Sequence, residues 1–324
     1  MTRKRMIHAI NDALREEMER DERVILFGED VGTSIFGDTR GLQKQFGTDR
    51  VRNTPISEAL LTGMAVGAAA AGHRVVCHLM YANFLYTGFD AIANQAAKLR
   101  LMTGGQIRLP IVYMAVAGGG RSSAAQHSDA PHPALMNLGG LCVVYPGTAA
   151  DAKGLLKAAI RSDDPVVYLQ PASRGGELGE VPDGDFVIPL GHATVARSGK
   201  DVTLVAIGSM VRTALKAAEG LAESGIEAEV IDPRTLHPLD KGTILASVRR
   251  TGRLVVIDEA RDSCSAASHI AAIVAEEGFS SLRAGVRRIT VPDLPIPYSP
   301  PLERALIPDA DKVAAAAHEL CSRS

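Results

Sequence analysis

Along nearly the whole 324-residue chain, short runs of β-branched and other apolar residues alternate with longer Ala- and Leu-rich stretches of helical period. Two parallel strands cannot be joined by a tight turn; they need a crossover, usually a helix. The alternation therefore predicts an α/β fold with mostly parallel sheets. Val24-Ile25-Leu26-Phe27 reads as a strand ended by Gly28, and residues 59–71 as a helix stopped at Gly72. A strand over 74–79, a helix over about 89–102 and strands over 111–116 and 141–145 follow. Thr148 and Asp151 are spaced as a capping pair opening the helix over 152–161, and 166–169 is the next strand.

From Pro171 to Pro189 the periodicity lapses into Gly, Pro and Asp, which reads as a linker between domains. A second α/β unit follows, with strands over 202–207, 229–231, 254–257 and 286–291 and helices over 211–223 and 266–276. The predicted organisation is a first domain over 1–175, a linker over 176–189 and a second domain over 190–324, both doubly wound in type.

Net charge is −2, with basic residues scattered, so there is no electrostatic ground for expecting nucleic acid or an anionic membrane as partner. The basic start, Met1 to Arg5, runs into Asp12, Glu16 and Glu17 rather than an uninterrupted apolar core, and the expectation is a soluble, cytoplasmic chain. Cys77, Cys142, Cys264 and Cys321 form no C-x-x-C pair and match no zinc spacing, so no metal site is expected from them.

Three segments carry residues able to do chemistry. In Thr54-Pro55-Ile56-Ser57-Glu58, Ser57 can cap a helix starting near Glu58, whose carboxylate the helix dipole favours; acidic residues at helix starts usually do no more than that. Gly118-Gly119-Gly120 follows a strand and leads to Gln126-His127-Ser128-Asp129. Such loops at the carboxyl ends of parallel strands bind ligands, and His127 could exchange protons near neutral pH; an ordinary glycine-rich surface loop is an equal reading. His132 is near by, with nothing in the sequence to give it a role. In the third, Met80 and Phe84 could flank an aromatic ring, although such residues are most often core. Neither a G-x-G-x-x-G nor a G-x-x-x-x-G-K-[ST] run is present.

Taken in order, many segments resemble the beta subunit of pyruvate, branched-chain 2-oxo acid and acetoin dehydrogenases. They are Gly28-Glu29-Asp30-Val31-Gly32, Thr54 to Glu58, Asn94-Gln95-Ala96-Ala97-Lys98, the triple glycine with Gln126-His127-Ser128, Asp232-Pro233-Arg234-Thr235-Leu236, and Pro297-Tyr298-Ser299-Pro300-Pro301-Leu302-Glu303. The resemblance implies a pyrimidine-binding, transketolase-like domain followed by a transketolase-type carboxy-terminal domain. It implies thiamine diphosphate as a cofactor shared with an alpha subunit that holds the magnesium and the diphosphate. The chain agrees in lacking the Asn-Asn pair of thiamine enzymes, although Gly37-Asp38 and Gly184-Asp185 occur.

By the same resemblance Glu58 bonds N1′ of the aminopyrimidine, Ile56, Met80 and Phe84 line that ring, and His127 faces an incoming lipoyl group. The implied activity forms an enamine on the cofactor from a 2-oxo acid or acetoin and reductively acylates the lipoyl arm of an acyltransferase core. The implied assembly is an alpha2-beta2 heterotetramer. The family usually continues His-Ser-Gln-Ser with an acid two positions later, where this chain has Asp129, Ala130, Pro131 and His132. Asp129 is expected to raise the proton affinity of His127. Two other readings share parts of the pattern. A split transketolase half would act on sugar phosphates, against which the histidine loop argues; a non-catalytic assembly subunit would have no need of Glu58.

Overall fold

In the computed structural model, which describes residues 1–322, the apolar runs become strands buried on both faces and the longer stretches become the helices that cover them. The chain divides into two units. One comprises Met1–Ala117 with Ala134–Leu190, and the other Gly118–Pro133 with the chain from Gly191 onward. The segment carrying His127 thus packs with the later part of the chain, although it leaves from a strand of the first unit.

The first unit begins with helix α1 (Met6–Arg20) and strands β1 (Val24–Glu29) and β2 (Val51–Thr54), then helix α2 (Glu58–Ala70) and strand β3 (Arg74–Tyr81). Strands β4 (Ile111–Ala117) and β5 (Cys142–Val144), helix α3 (Ala149–Arg161) and strand β6 (Val166–Pro171) complete it. These strands lie side by side as β2-β1-β3-β4-β6-β5, all parallel. Every residue of β4 and β6 is buried, as a sheet covered on both faces requires. Gly28, at φ +151°, makes the β1–β3 contact possible, because a Cβ there would lie 2.0 Å from the His78 carbonyl oxygen.

Thr148 caps α3 as predicted, its hydroxyl accepting from the Asp151 N–H at 3.1 Å. The helix predicted over 89–102 is instead a π-turn over Ala91–Ala96, closed by the Ala97 N–H on the Ile92 carbonyl, and a separate short helix over Leu99–Met102. Part of the segment read as a linker is ordered by distant partners. Leu178–Val181 pairs antiparallel with Thr2–Arg5, and Ile188 and Phe186 pack where Gly154 has no side chain. Neither partner leaves a local period in the sequence.

The second unit contains β7 (Thr194–Arg197), β8 (Val202–Ala206), α4 (Met210–Glu223), β9 (Ala228–Asp232) and α5 (Lys241–Thr251). It continues with β10 (Leu254–Arg261), α6 (Ala266–Glu277), β11 (Arg287–Val291), α7 (Pro300–Leu306) and α8 (Ala310–Ser322). The order is β11-β10-β8-β9-β7, parallel except for the edge strand β7. Among the described residues no helix is long and apolar enough to cross a membrane.

Candidate active site

In the first unit the chain steps outward from β1 to β2, then returns through α2 to β3 on the other side of β1. That reversal between β1 and β3 is a topological switch point, and open α/β sheets bind ligands outside the carboxyl ends of the strands there. Glu29 ends β1, Glu58 opens α2, and His78, Met80 and Phe84 lie at or just beyond the end of β3. The fold therefore gathers three of the four predicted ring-contacting residues at one place. Ile56, two residues before Glu58, is 77% exposed, so a large apolar side chain stands open to any flat ligand or neighbouring chain.

Glu58 is buried at the first position of α2. Ser57 is the N-cap residue, but its side chain makes no capping bond; its backbone N–H instead donates to the Glu29 carboxylate. Glu29, in the family-like segment Gly28 to Gly32, is 4% exposed. Burial, reinforced by the neighbouring Glu58 carboxylate, pushes its carboxyl up to about 7, against the bond from Ser57 and the field of His78. Its Oε1 has no hydrogen-bond partner. Glu29 and Glu58 thus bring two buried carboxyls to the carboxyl end of β1 and the start of α2, the charge of Glu58 acting on Glu29.

Behind this pair His78 Nε2 lies 2.9 Å from Asp38 Oδ2, both side chains buried, while the Met80 N–H donates to His78 Nδ1 at 3.3 Å. The second bond leaves the ring proton on Nε2, donated to Asp38. Met80 takes φ +50°, a left-handed conformation uncommon for a non-glycine residue, and so redirects the chain at the end of β3. Glu29, Phe36, Asp38, His78 and Met80 line one shallow recess that the side chains nearly fill. Asp38 is remote in sequence from His78, which is why no local pattern announced the pair.

The carboxyl of Glu29 gives a stability test. Its folded-state value of about 7 lies above the ordinary 4.5. The folded chain therefore keeps a proton that the unfolded chain loses, and stability falls as pH rises from 4.5 to 7. Glu29→Gln is expected to remove that slope, gaining on the natural chain by about 3 kcal/mol at most between pH 5 and pH 8. Urea titrations at the two pH values measure it, and an equal difference at both would contradict the raised value.

His127 lies in a single 3₁₀ turn over Ala125–His127, within the second unit. Asp129, expected to act on His127, is drawn to Arg261, whose guanidinium lies 2.7 Å from Asp129 Oδ1. His132 is fully buried with Nε2 3.1 Å from Asp258 Oδ1. Burial opposes the charge on Asp258, but His132 and the N–H groups of Ala260 and Ala267 outweigh it and hold the carboxyl below its usual range. His132 thus gains the role that the sequence withheld: it ties the loop to β10.

The comparisons with known proteins cover both units. Residues 3–174 match the transketolase pyrimidine-binding domain and residues 191–313 the transketolase C-terminal domain. The chain is 46% identical to the beta subunit of acetoin:2,6-dichlorophenolindophenol oxidoreductase from Cupriavidus necator, over 96% of this chain and 95% of that one. It is 42% identical to the 2-oxoisovalerate dehydrogenase beta subunit of Bacillus subtilis, over 97% of each. The chain belongs to the family of beta subunits of 2-oxo acid and acetoin dehydrogenases. Among solved structures, the chain of an inactive beta4 tetramer of a split-gene transketolase superposes with a TM-score of 0.79 at 27% identity, covering 98% of each chain. The lower identity to the split transketolase, at similar coverage, favours the dehydrogenases over that rival. The family is one that depends on thiamine diphosphate.

Proposed function

We propose that this chain is the beta half of a thiamine-diphosphate-dependent dehydrogenase that cleaves a small 2-oxo acid or acetoin and passes the acyl unit to a lipoyl group. The observation that carries the proposal is the Glu29–Glu58 carboxyl pair at the switch point of the first unit. The fit to the ring is supported by a buried carboxyl at Glu58, an orphaned buried oxygen on Glu29, and an apolar rim of Ile56, Met80 and Phe84. We assign the ring pocket to residues 1–175 and the transketolase-type carboxy-terminal domain to 190–324, joined through 176–189. Residues 323–324 of that assignment lie outside the described residues.

Thiamine diphosphate, when bound, supplies a nucleophilic carbon for the substrate carbonyl and an electron sink for the bond that breaks. Glu58 holds a proton at ring atom N1′, beside the Glu29 carboxyl that burial pushes up to about 7. Ile56, Met80 and Phe84 orient the ring and exclude water from it. His127 supplies a proton to the lipoyl sulfur as the acyl unit arrives.

The magnesium and the diphosphate are assigned to an alpha subunit, in keeping with the missing Asn-Asn pair. A partner is also supported by α2, whose Leu60 is 64% exposed beside the open Ile56. The proposed assembly is an alpha2-beta2 heterotetramer serving a lipoyl-bearing acyltransferase core. Co-expression with candidate alpha chains, followed by turnover of pyruvate, branched-chain 2-oxo acids and acetoin with thiamine diphosphate and magnesium, tests it. One substrate is expected to turn over only in the co-purified complex. Full activity of the isolated chain would refute the shared site.

A further inference from the structure

Two acidic motifs, Asp258-Glu259 and the Glu303 that ends the Pro297 segment, are left without work by the reading above. Both converge on the glycine loop. The second unit has its own switch point, because the chain steps from β8 to β9 and returns to β10 on the far side of β8. Ser209, just beyond β8, and Glu259, near the end of β10, flank it. The crevice where such a sheet would take a ligand is here met by the chain's own segment Gly118–Pro133.

The grip is made on backbone N–H groups. Glu259 Oε1 accepts from the Ser209 hydroxyl at 2.6 Å, and Oε2 accepts from the Gly119 N–H at 3.2 Å. Gly118, at φ +88°, lets the chain pass, since a Cβ there would stand 2.2 Å from Glu259 Oε2. Glu303, 2% exposed on α7, accepts from the Gly120 N–H at 2.8 Å, and from the Ser122 N–H and hydroxyl at 2.8 and 3.0 Å. Asp129–Arg261 and His132–Asp258 fasten the far end. His127 thus sits on a short turn clamped on both sides, and charge-assisted bonds of this kind hold backbone more firmly than neutral ones.

We propose that Glu259 and Glu303 are positioning residues that fix the loop carrying His127, so that the carboxy-terminal half of the chain sets the geometry of the acyl-acceptor step. Three donors converge on Glu303 and bind it to the loop from one side, while Glu259 binds it to β8 and β10 from the other. Glu303 acts on the loop through the Gly120 and Ser122 N–H groups and the Ser122 hydroxyl.

The proposal rests on the functional reading above, so its test carries one readout independent of activity. In the assembled complex, Glu303→Ala is expected to speed amide exchange at Gly119, Gly120 and Ser122 by about tenfold or more. The kcat for transfer to a lipoylated acceptor domain is expected to fall by about tenfold, while turnover with 2,6-dichlorophenolindophenol, the dye named for a relative, stays within about twofold. Glu303→Gln, which keeps one acceptor oxygen, and Ser122→Ala, which removes a single donor, are expected to fall between; they also serve if Glu303→Ala does not fold. Unchanged exchange in all three variants would overturn the grip. Faster exchange with equal loss in both assays would overturn the link to the acceptor step. A natural complex that transfers nothing to the lipoyl domain would refute the functional reading instead, leaving the exchange result to judge the clamp.

Discussion

Glu58→Gln is expected to lower thiamine-diphosphate-dependent turnover by about 100-fold or more, the scale of a lost general acid–base group, with little change in folding. The amide fills the same volume at the first position of α2, where the side chain is buried beside Glu29. It cannot give and regain a proton at N1′. A second consequence separates this from nonspecific damage. The Glu58 carboxylate is one of the charges that raise Glu29, so its removal is expected to bring Glu29 down from about 7. Steady-state kinetics on the assembled complex measure the first effect, and carboxyl titration by nuclear magnetic resonance the second. Retention of substantial turnover would remove Glu58 from catalysis.

His127→Ala is expected to divide the two half-reactions. Reduction of an artificial electron acceptor should stay within about twofold of the natural chain, while reductive acylation of a lipoyl acceptor should fall by about 100-fold, the range for one positioned proton donor. The structure supports a local effect, because the loop around His127 is tied to β10 and α7 through Gly120, Ser122, Asp129 and His132. Truncating His127 should leave those ties in place and alter thermal stability little. Parallel assays with the dye and with a lipoylated domain decide it. Equal losses in both would move His127 to an earlier step.

The pair of predictions differs in what each asks of the fold. Glu58 depends on a switch point in a six-strand parallel arrangement that needs only strands β1, β2 and β3 in order. His127 depends on a loop whose shape is imposed by residues more than 130 positions later, Glu259 and Glu303 among them. Changes near β10 or α7 are therefore expected to alter acyl transfer without touching a reacting atom.

Much of this was written in the sequence. The apolar runs placed strands at Val24, Arg74, Ile111 and Val202 because a strand buried on both faces must be apolar throughout, and that demand is local. Thr148 and Asp151 announced their helix because a cap involves residues three apart. The segments around Glu58 and His127 carried the family resemblance, and the comparisons agree with that family.

Tertiary structure decided the rest, for the reason that distant partners leave no period. Leu178–Val181 became a strand only because Thr2–Arg5 lay beside it. Asp129 was drawn to Arg261, and His132 found Asp258, across separations of more than 120 residues. Glu29 acquired a carboxyl near neutrality only when folding buried it against Glu58. The sequence by itself determined which residues could do chemistry, since that follows from side-chain type and local turn. Folding alone decided which of them lose their water and which merely hold a loop, since desolvation and proximity exist only once the strands are assembled.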